Sequence, residues 1–267
     1  MSIDNLLQIM SQLRHPEDGC PWDVEQNFES IAPYTIEEAY EVQEAITNGD
    51  YENLKEELGE LLLQVVFHSQ IAKEAKLFAF DEVIDSICKK MIDRHPHVFG
   101  DAKIKNAEEQ LSSWEYLKAK ERQKSLKTSS IEESALDGVS LAYPALLRAQ
   151  KLQKRAARVG FDWQSVESVL DKLDEEIIEL KEVLEDTSGS DDTRTEEELG
   201  DILFTCVNIA RYLNIDSETA LYKANRKFSK RFKFIEKSLK EELNVKLEDA
   251  DFSDLEERWE RSKTIDC

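Results

Sequence analysis

The chain has 267 residues, of which 40% are apolar and only 8 are glycine and 5 proline; 57 acidic against 35 basic side chains give a net charge of −22. That length and apolar content suffice for one large or two ordinary domains, and few turn residues beside abundant Leu, Glu, Lys, Ala and Ile favour long helices, so an all-α chain is expected. The acidic excess argues against nucleic acid and membranes as partners, and it requires a cation or a local basic cluster wherever a phosphate-bearing ligand binds.

No run approaches the ~18 continuous apolar residues of a membrane span, and "MSIDNLLQIMSQLRHPEDG" lacks the basic start and cleavage site of a secretory signal, which predicts a cytoplasmic protein. Cys20, Cys88, Cys206 and Cys267 show no C-x-x-C spacing and read as reduced thiols.

Taken in chain order, a first helix leads into "GCPWD" (19–23), followed by a helix carrying "EEAYE" (37–41), another opening on "EELGELLLQVV" (56–66), a basic one with "KKMIDRH" (89–95), and a last one with "WEYLKAKER" (114–122). The stretch 123–140 is polar and without an apolar stripe, so it is read as a linker between an N-terminal domain, 1–122, and a C-terminal domain, 141–267. The second region repeats the first at an offset of about 140 residues: "GFDW" (160–163), "EEIIE" (175–179), "EELGDILFTCV" (197–207), "YKANRKF" (222–228) and "WERSKT" (259–264) recur in the same order. Two copies of one helical bundle are expected, with antiparallel neighbours joined by short connections.

Acid pairs three apart are common in so acidic a chain; what distinguishes these is their place beside an apolar stripe. Over 166–184, Val166, Val169, Leu170, Leu173, Ile177, Leu180 and Leu184 form the buried arc, with Glu176 and Glu179 at its edge. On the next helix Leu199, Ile202, Leu203, Phe204, Cys206, Val207, Ile209 and Ala210 cover most of the circumference, predicting a largely buried element, with Glu198 and Asp201 on the remaining strip. Two facing pairs place four carboxylates in a partly dry groove, where repulsion demands a counter-charge. An all-carboxylate set, in a half with no histidine from 131 to 267, suits Mg²⁺ or Mn²⁺ and disfavours a di-iron oxidoreductase bundle. Gly59 and Gly200 sit mid-helix at matching positions, which suggests close approach of a neighbouring helix or a ligand.

Lys223, Lys227 and Arg231, with Asn225 among them, form a basic ridge suited to phosphate, and Trp259, Trp163 and Phe228 offer faces for packing or for a base. His95 and His97 flank Pro96 without a third ligand and are read as packing residues. Neither a G-x-x-x-x-G-K-[ST] loop nor a G-x-G-x-x-G loop occurs, nor a nucleophile signature, leaving metal-assisted attack of water on a phosphoryl centre.

Across nearly its whole length the sequence resembles the MazG family of nucleoside triphosphate pyrophosphohydrolases in its tandem form, through "HPEDGCPWDVEQNFESIAPYTIEEAYEV", "DRHPHVF", "YPALLRAQKLQKRAARVGFDW" and "EEELGDILF". The resemblance implies an all-α bundle, a homodimer, and Mg²⁺-dependent cleavage between the α and β phosphates. It implies that Glu176, Glu179, Glu198 and Asp201 ligate metal and that Lys172, Glu175, Glu197, Lys227, Arg231 and Trp259 contact the nucleotide; Glu175 is alternatively the group that orients water. The N-terminal copy matches at Glu38, Glu41 and Glu57 but has Glu60 where the family pattern has aspartate, and Ile92 stands where the second copy has Asn225, so the second copy is expected to carry most of the activity. Broad substrate use is expected, since no segment resembles a dedicated base-reading pocket. The competing reading is a non-catalytic helical module that senses nucleotides or binds a partner.

Overall fold

A computed structural model of the chain describes residues 2–102, 106, 109–110, 134–185 and 192–264. The chain divides into two compact units, Met1–Leu126 and Lys127–Cys267. Among the described residues every regular element is helical, and no helix is long and apolar enough to cross a membrane.

The first unit contains α1 (Ile3–Leu13), α2 (Pro21–Glu25), α3 (Phe28–Asn48), α4 (Tyr51–Glu74), α5 (Phe80–Arg94) and the short α6 (Pro96–Phe99). Local chemistry sets the ends of its central hairpin. At the start of α3 the Asn27 side chain accepts from the Ser30 backbone N–H while Ser30 Oγ accepts from that of Asn27, a reciprocal cap. Gly49, at φ 68°, stops α3 in the left-handed region that suits glycine, and the next residue, Asp50, caps α4 by accepting from the Asn53 N–H. So tight a turn folds α4 back along α3, the most extensive helix pairing in the unit. Met10, Ile31, Val66, Phe67 and Ile71 form the core. The segment around Trp114 and most of the expected linker lie outside the described residues.

The second unit contains α7 (Ala145–Arg158), α8 (Val166–Glu185), α9 (Asp192–Tyr212), α10 (Ser217–Ser238), a π-helical turn (Leu239–Leu243), a 3₁₀ turn (Leu247–Asp249) and α11 (Phe252–Lys263). Helices α8 and α9 make the main pairing; α7 lies against α9, and α10 packs chiefly on α11. Polar side chains take much of the interior: Gln150 Nε2 donates to the Ile215 carbonyl and Gln153 Nε2 to that of Phe204, each at 2.8 Å, so buried amides of α7 satisfy carbonyls on and just after α9.

Three expectations from periodicity are corrected here. On α8, Leu170 and Leu184 are exposed, whereas Glu176 is 6% exposed and takes an interior position with Val169, two turns earlier. The apolar arc is thus interrupted by a carboxylate instead of flanked by it. Helix α9 is not largely buried: Thr205, Val207 and Asn208 face inward, but Leu199, Leu203, Phe204 and Cys206 are exposed. Its apolar surplus exceeds what α7 and α8 can cover. Finally, a Cβ built on Gly59 or Gly200 meets nothing within 4 Å, so no neighbouring helix of this chain requires either glycine.

Candidate active site

The front of α9 and the middle of α8 bring three acids together. Glu198 and Asp201, three apart, share one face of α9. One carboxylate oxygen from each of Glu176, Glu198 and Asp201 lies within 4.8 Å of the others. Glu176 is buried, Glu198 half-buried and Asp201 exposed, so the cluster runs from the packed interior to the surface. Glu179, one turn along α8, stands outside this three-acid group and meets it through Glu176. A hydrogen bond with Glu176, then desolvation, then the neighbouring charges of Glu176 and Glu175 push the Glu179 carboxyl above its usual range, against the opposing pull of Lys172. Carboxylates this close repel one another, so the pair favours a neighbouring positive charge.

Lys172, one turn before Glu176, supplies part of that charge. Its Nζ donates to Glu175 Oε1 at 2.9 Å and lies 3.1 Å from Glu176 Oε1, and these bonds raise the lysine above its ordinary value. Glu175 keeps a solvent-facing side chain beside the cluster. Glu197 is exposed at the front of α9.

The basic ridge occupies another helix. Lys223, Asn225 and Lys227 are exposed along α10, and Arg231 follows one turn later. Its guanidinium lies over the Trp259 ring, 5.7 Å from the centroid, and Trp259 also meets Phe228 at 5.6 Å. Phe228, Arg231 and Trp259 therefore form one half-exposed aromatic and cationic cluster. Trp163 belongs elsewhere: its carbonyl accepts from the Tyr212 hydroxyl, and the adjacent Asp162 is gripped by Arg211, which ties the tryptophan loop to the end of α9.

The first unit contains a parallel arrangement. Glu38, Glu41 and Glu57 bring carboxylate oxygens within 4.8 Å of one another. Burial, then the charges of Glu41, Glu60 and Glu57, push Glu38 upward; burial and Glu57 do the same to Glu41. Oε2 of Glu38 is buried without a hydrogen-bond partner. Glu60 contributes charge to Glu38 but stands outside the three-acid group. Aligning "EEAYE" on "EEIIE" puts Tyr34 where the second unit has Lys172, so the lysine counter-charge has no equivalent. Ile92 is half-exposed on α5.

Reading the sequence did not anticipate the ion cluster on α11, where buried Arg258 and exposed Arg261 both bind Glu242 of the π-helical turn. Arg258 is 3% exposed, and charge patterning alone does not separate it in the sequence from solvated arginines.

Comparison with known proteins gives these residues a context. The MazG nucleotide pyrophosphohydrolase domain matches the chain twice, over residues 26–99 and 164–235, in accord with the duplication seen in the sequence. The chain is 46% identical over 263 residues to the nucleoside triphosphate pyrophosphohydrolase of Escherichia coli (strain K12), an alignment covering 98% of this chain and 97% of that protein. It is 45% identical over 260 residues to the nucleoside triphosphate pyrophosphohydrolase/pyrophosphatase MazG of Thermotoga maritima, covering 97% and 95%. To the nucleoside triphosphate pyrophosphohydrolase of Mycobacterium tuberculosis it is 39% identical over 159 residues, 59% of this chain and 46% of that one. A domain matched in both units, together with relatives similar from end to end, establishes that the chain belongs to the MazG nucleotide pyrophosphohydrolase family.

Proposed function

We propose that this protein hydrolyses nucleoside triphosphates between the α and β phosphates, releasing a nucleoside monophosphate and pyrophosphate, with Mg²⁺ as its working ion and Mn²⁺ as a substitute. The observation that carries the reading is the convergence of Glu176, Glu198 and Asp201 within 4.8 Å, with Glu179 one turn along from Glu176. The donor set fits such an ion, since every candidate ligand is a carboxylate oxygen and the group spans buried to exposed, leaving one side open. Glu176, Glu179, Glu198 and Asp201 would hold the ion, and bound there it would offset the triphosphate's charge and acidify an attacking water.

The remaining work falls to the chain. Lys172 presents its ammonium beside the carboxylates and serves as a point charge for a phosphate. Lys227 and Arg231 extend the cationic surface along α10, with Lys223 and Asn225 on the same helix, and Trp259 offers an aromatic face to the base. Glu197 and Glu175 lie at the solvent side of the cluster, where Glu175 either contacts the nucleotide or receives the proton of the water that adds across the α–β anhydride.

Several finer points belong to the same proposal. The second unit carries most of the turnover, supported by Lys172 and by the shorter Asp201, which the first unit replaces with Tyr34 and Glu60. An extra methylene displaces a ligating oxygen by about 1 Å, enough to loosen a metal site. The protein works as a homodimer, supported by the uncovered apolar residues of α9. It acts in the cytoplasm on common and damaged triphosphates alike, controlling the nucleotide pool; the free thiols of Cys20, Cys88 and Cys206 suit a reducing compartment.

Incubating the purified protein with each common triphosphate and Mg²⁺, then counting pyrophosphate against free phosphate, tests the reaction. Stoichiometric pyrophosphate supports it, free phosphate points to a different hydrolase, and calorimetric binding without turnover points to a sensing module.

A further inference from the structure

Resting on the reading of Trp259 as a base-contacting residue, we infer that Glu242, outside the carboxylate cluster and outside the matched domain segments, is a positioning residue that fixes the rotation of α11 and so aims Trp259 at the nucleotide. Three facts on the far side of the tryptophan lead there. Glu242 Oε1 accepts from Arg261 Nη2 at 2.7 Å and Glu242 Oε2 from Arg261 Nη1 at 2.8 Å, a two-point grip on the planar guanidinium. The same Oε2 accepts from Arg258 Nη2 at 3.3 Å. Arg258 and Arg261 stand one residue before and two residues after Trp259, so a single carboxylate grips one face of α11 across the turn that carries the ring.

The geometry explains why this grip governs direction as well as stability. Arg258 is 3% exposed and is also held within its own helix by Asp254, through a backbone carbonyl at 3.1 Å and a carboxylate oxygen at 3.4 Å. It therefore cannot swing to follow a displaced partner. A 12-residue helix pinned at one buried arginine and one surface arginine has little freedom to roll about its axis. Rolling is the motion that would carry Trp259 off Phe228 and out from under Arg231, because those contacts come from a different helix, α10. The π-helical turn, Leu239–Leu243, follows α10 directly and is anchored by the fully buried Leu239. Glu242 thus refers the orientation of Trp259 to the same helix that carries Lys227 and Arg231.

The test compares Glu242→Gln, Trp259→Ala and the double variant under saturating Mg²⁺, measuring KM and kcat for a triphosphate well below each variant's Tm. Stacking a base on an aromatic ring is worth roughly tenfold in affinity. Trp259→Ala should raise KM by about that factor, and Glu242→Gln, which loosens the ring without removing it, by roughly three- to tenfold, with kcat within about twofold. In the Trp259→Ala background Glu242→Gln should change KM no further, since the residue acts through the ring. A lowered Tm with unchanged KM in Glu242→Gln would make the grip purely structural and overturn the inference. Additive effects in the double variant would overturn it too. An unchanged KM in Trp259→Ala instead sinks the base-contact reading itself, a separate outcome.

Discussion

The ammonium of Lys172 lies 3.1 Å from the carboxylate of Glu176, one helical turn further along α8, and the carboxylate is nearly as inaccessible as the apolar core. Glu176 is therefore a buried carboxyl group whose cationic contact comes from its own helix. Replacing Lys172 with Met keeps most of the unbranched apolar stem but removes that cation, leaving a buried acceptor short of a partner. The expected loss is about 1–3 kcal/mol of stability without metal, toward the low end because the lysine is partly exposed to solvent. Thermal unfolding of Lys172→Met with and without Mg²⁺ checks this: the deficit should shrink when the ion is added, and a deficit independent of Mg²⁺ would contradict the assignment of Glu176 to the metal.

Periodicity located the helices and the acid pairs but misjudged which faces they bury. Glu198 and Asp201 were legible because an i, i+3 pair beside an apolar stripe can only share a face. Burial of Glu176 was not legible, because charge normally predicts exposure and only the paired helix and Lys172 make an interior carboxylate tolerable. Exposure of Leu199, Leu203 and Phe204 failed for the opposite reason: a single sequence shows that a helix is apolar all round, not how many neighbours exist to cover it. The grip of Glu242 on α11 was invisible, since it joins residues 16 and 19 apart across a turn with no periodic signature.

The raised carboxyls fix the sign of the pH response. Glu179 has a folded-state pKa above its ordinary 4.5, so the folded chain binds more protons than the unfolded one; the stability it contributes is present below 4.5 and is lost as pH rises through the folded value. Glu38 and Glu41 behave alike. Glu74 works the other way: against the burial that would raise it, hydrogen bonds from Arg14 and Gln70 hold it low, and the Arg261 hydrogen bond lowers Glu242, so their stability is lost as pH falls below 4.5. Metal-free protein should then decline in stability over the interval in which pH rises from 4.5 through the raised values of Glu179, Glu38 and Glu41. Ligation requires ionised carboxylates, so the Mg²⁺-induced rise in Tm should grow over that interval. Calorimetry across pH, with and without Mg²⁺, measures both slopes, and a flat Mg²⁺ increment contradicts the assignment.

Gly200 lies between Glu198 and Asp201 in open space. Alanine there relieves a mid-helix glycine and should stabilise the fold by about 0.5–1 kcal/mol. If a ligand needs that space, the same methyl group should lower kcat/KM. Opposite movement of Tm and activity in Gly200→Ala is the expected result, and unchanged activity would show that the glycine serves neither ligand nor packing.

Division of labour between the two units is tested by matched substitutions. Glu198→Ala removes a carboxylate of the second cluster and Glu57→Ala its counterpart in the first. Pyrophosphate release should fall by roughly a hundredfold or more in Glu198→Ala and by less than about threefold in Glu57→Ala, because losing a ligand misplaces the whole reacting geometry. The reverse pattern would transfer the activity to the first unit. Binding of a nucleoside monophosphate, followed by calorimetry, should survive both changes if the ridge on α10 supplies most of that affinity.

Leu203 and Phe204 are 51% and 44% exposed on the helix that also carries Glu198 and Asp201. An apolar surface of this kind is unfavourable in water unless a second copy covers it. Leu203→Glu would bury a charge in such an interface while costing an isolated chain little, since the position is open to solvent. Sedimentation should show the unaltered protein at twice the 30.8 kDa chain mass and Leu203→Glu at the single-chain mass. Mass action adds a second readout: the Tm of the unaltered protein should rise with concentration, and that of Leu203→Glu should not. A concentration-independent Tm and a single-chain mass for the unaltered protein would leave the α9 surface without a partner copy and overturn the homodimer.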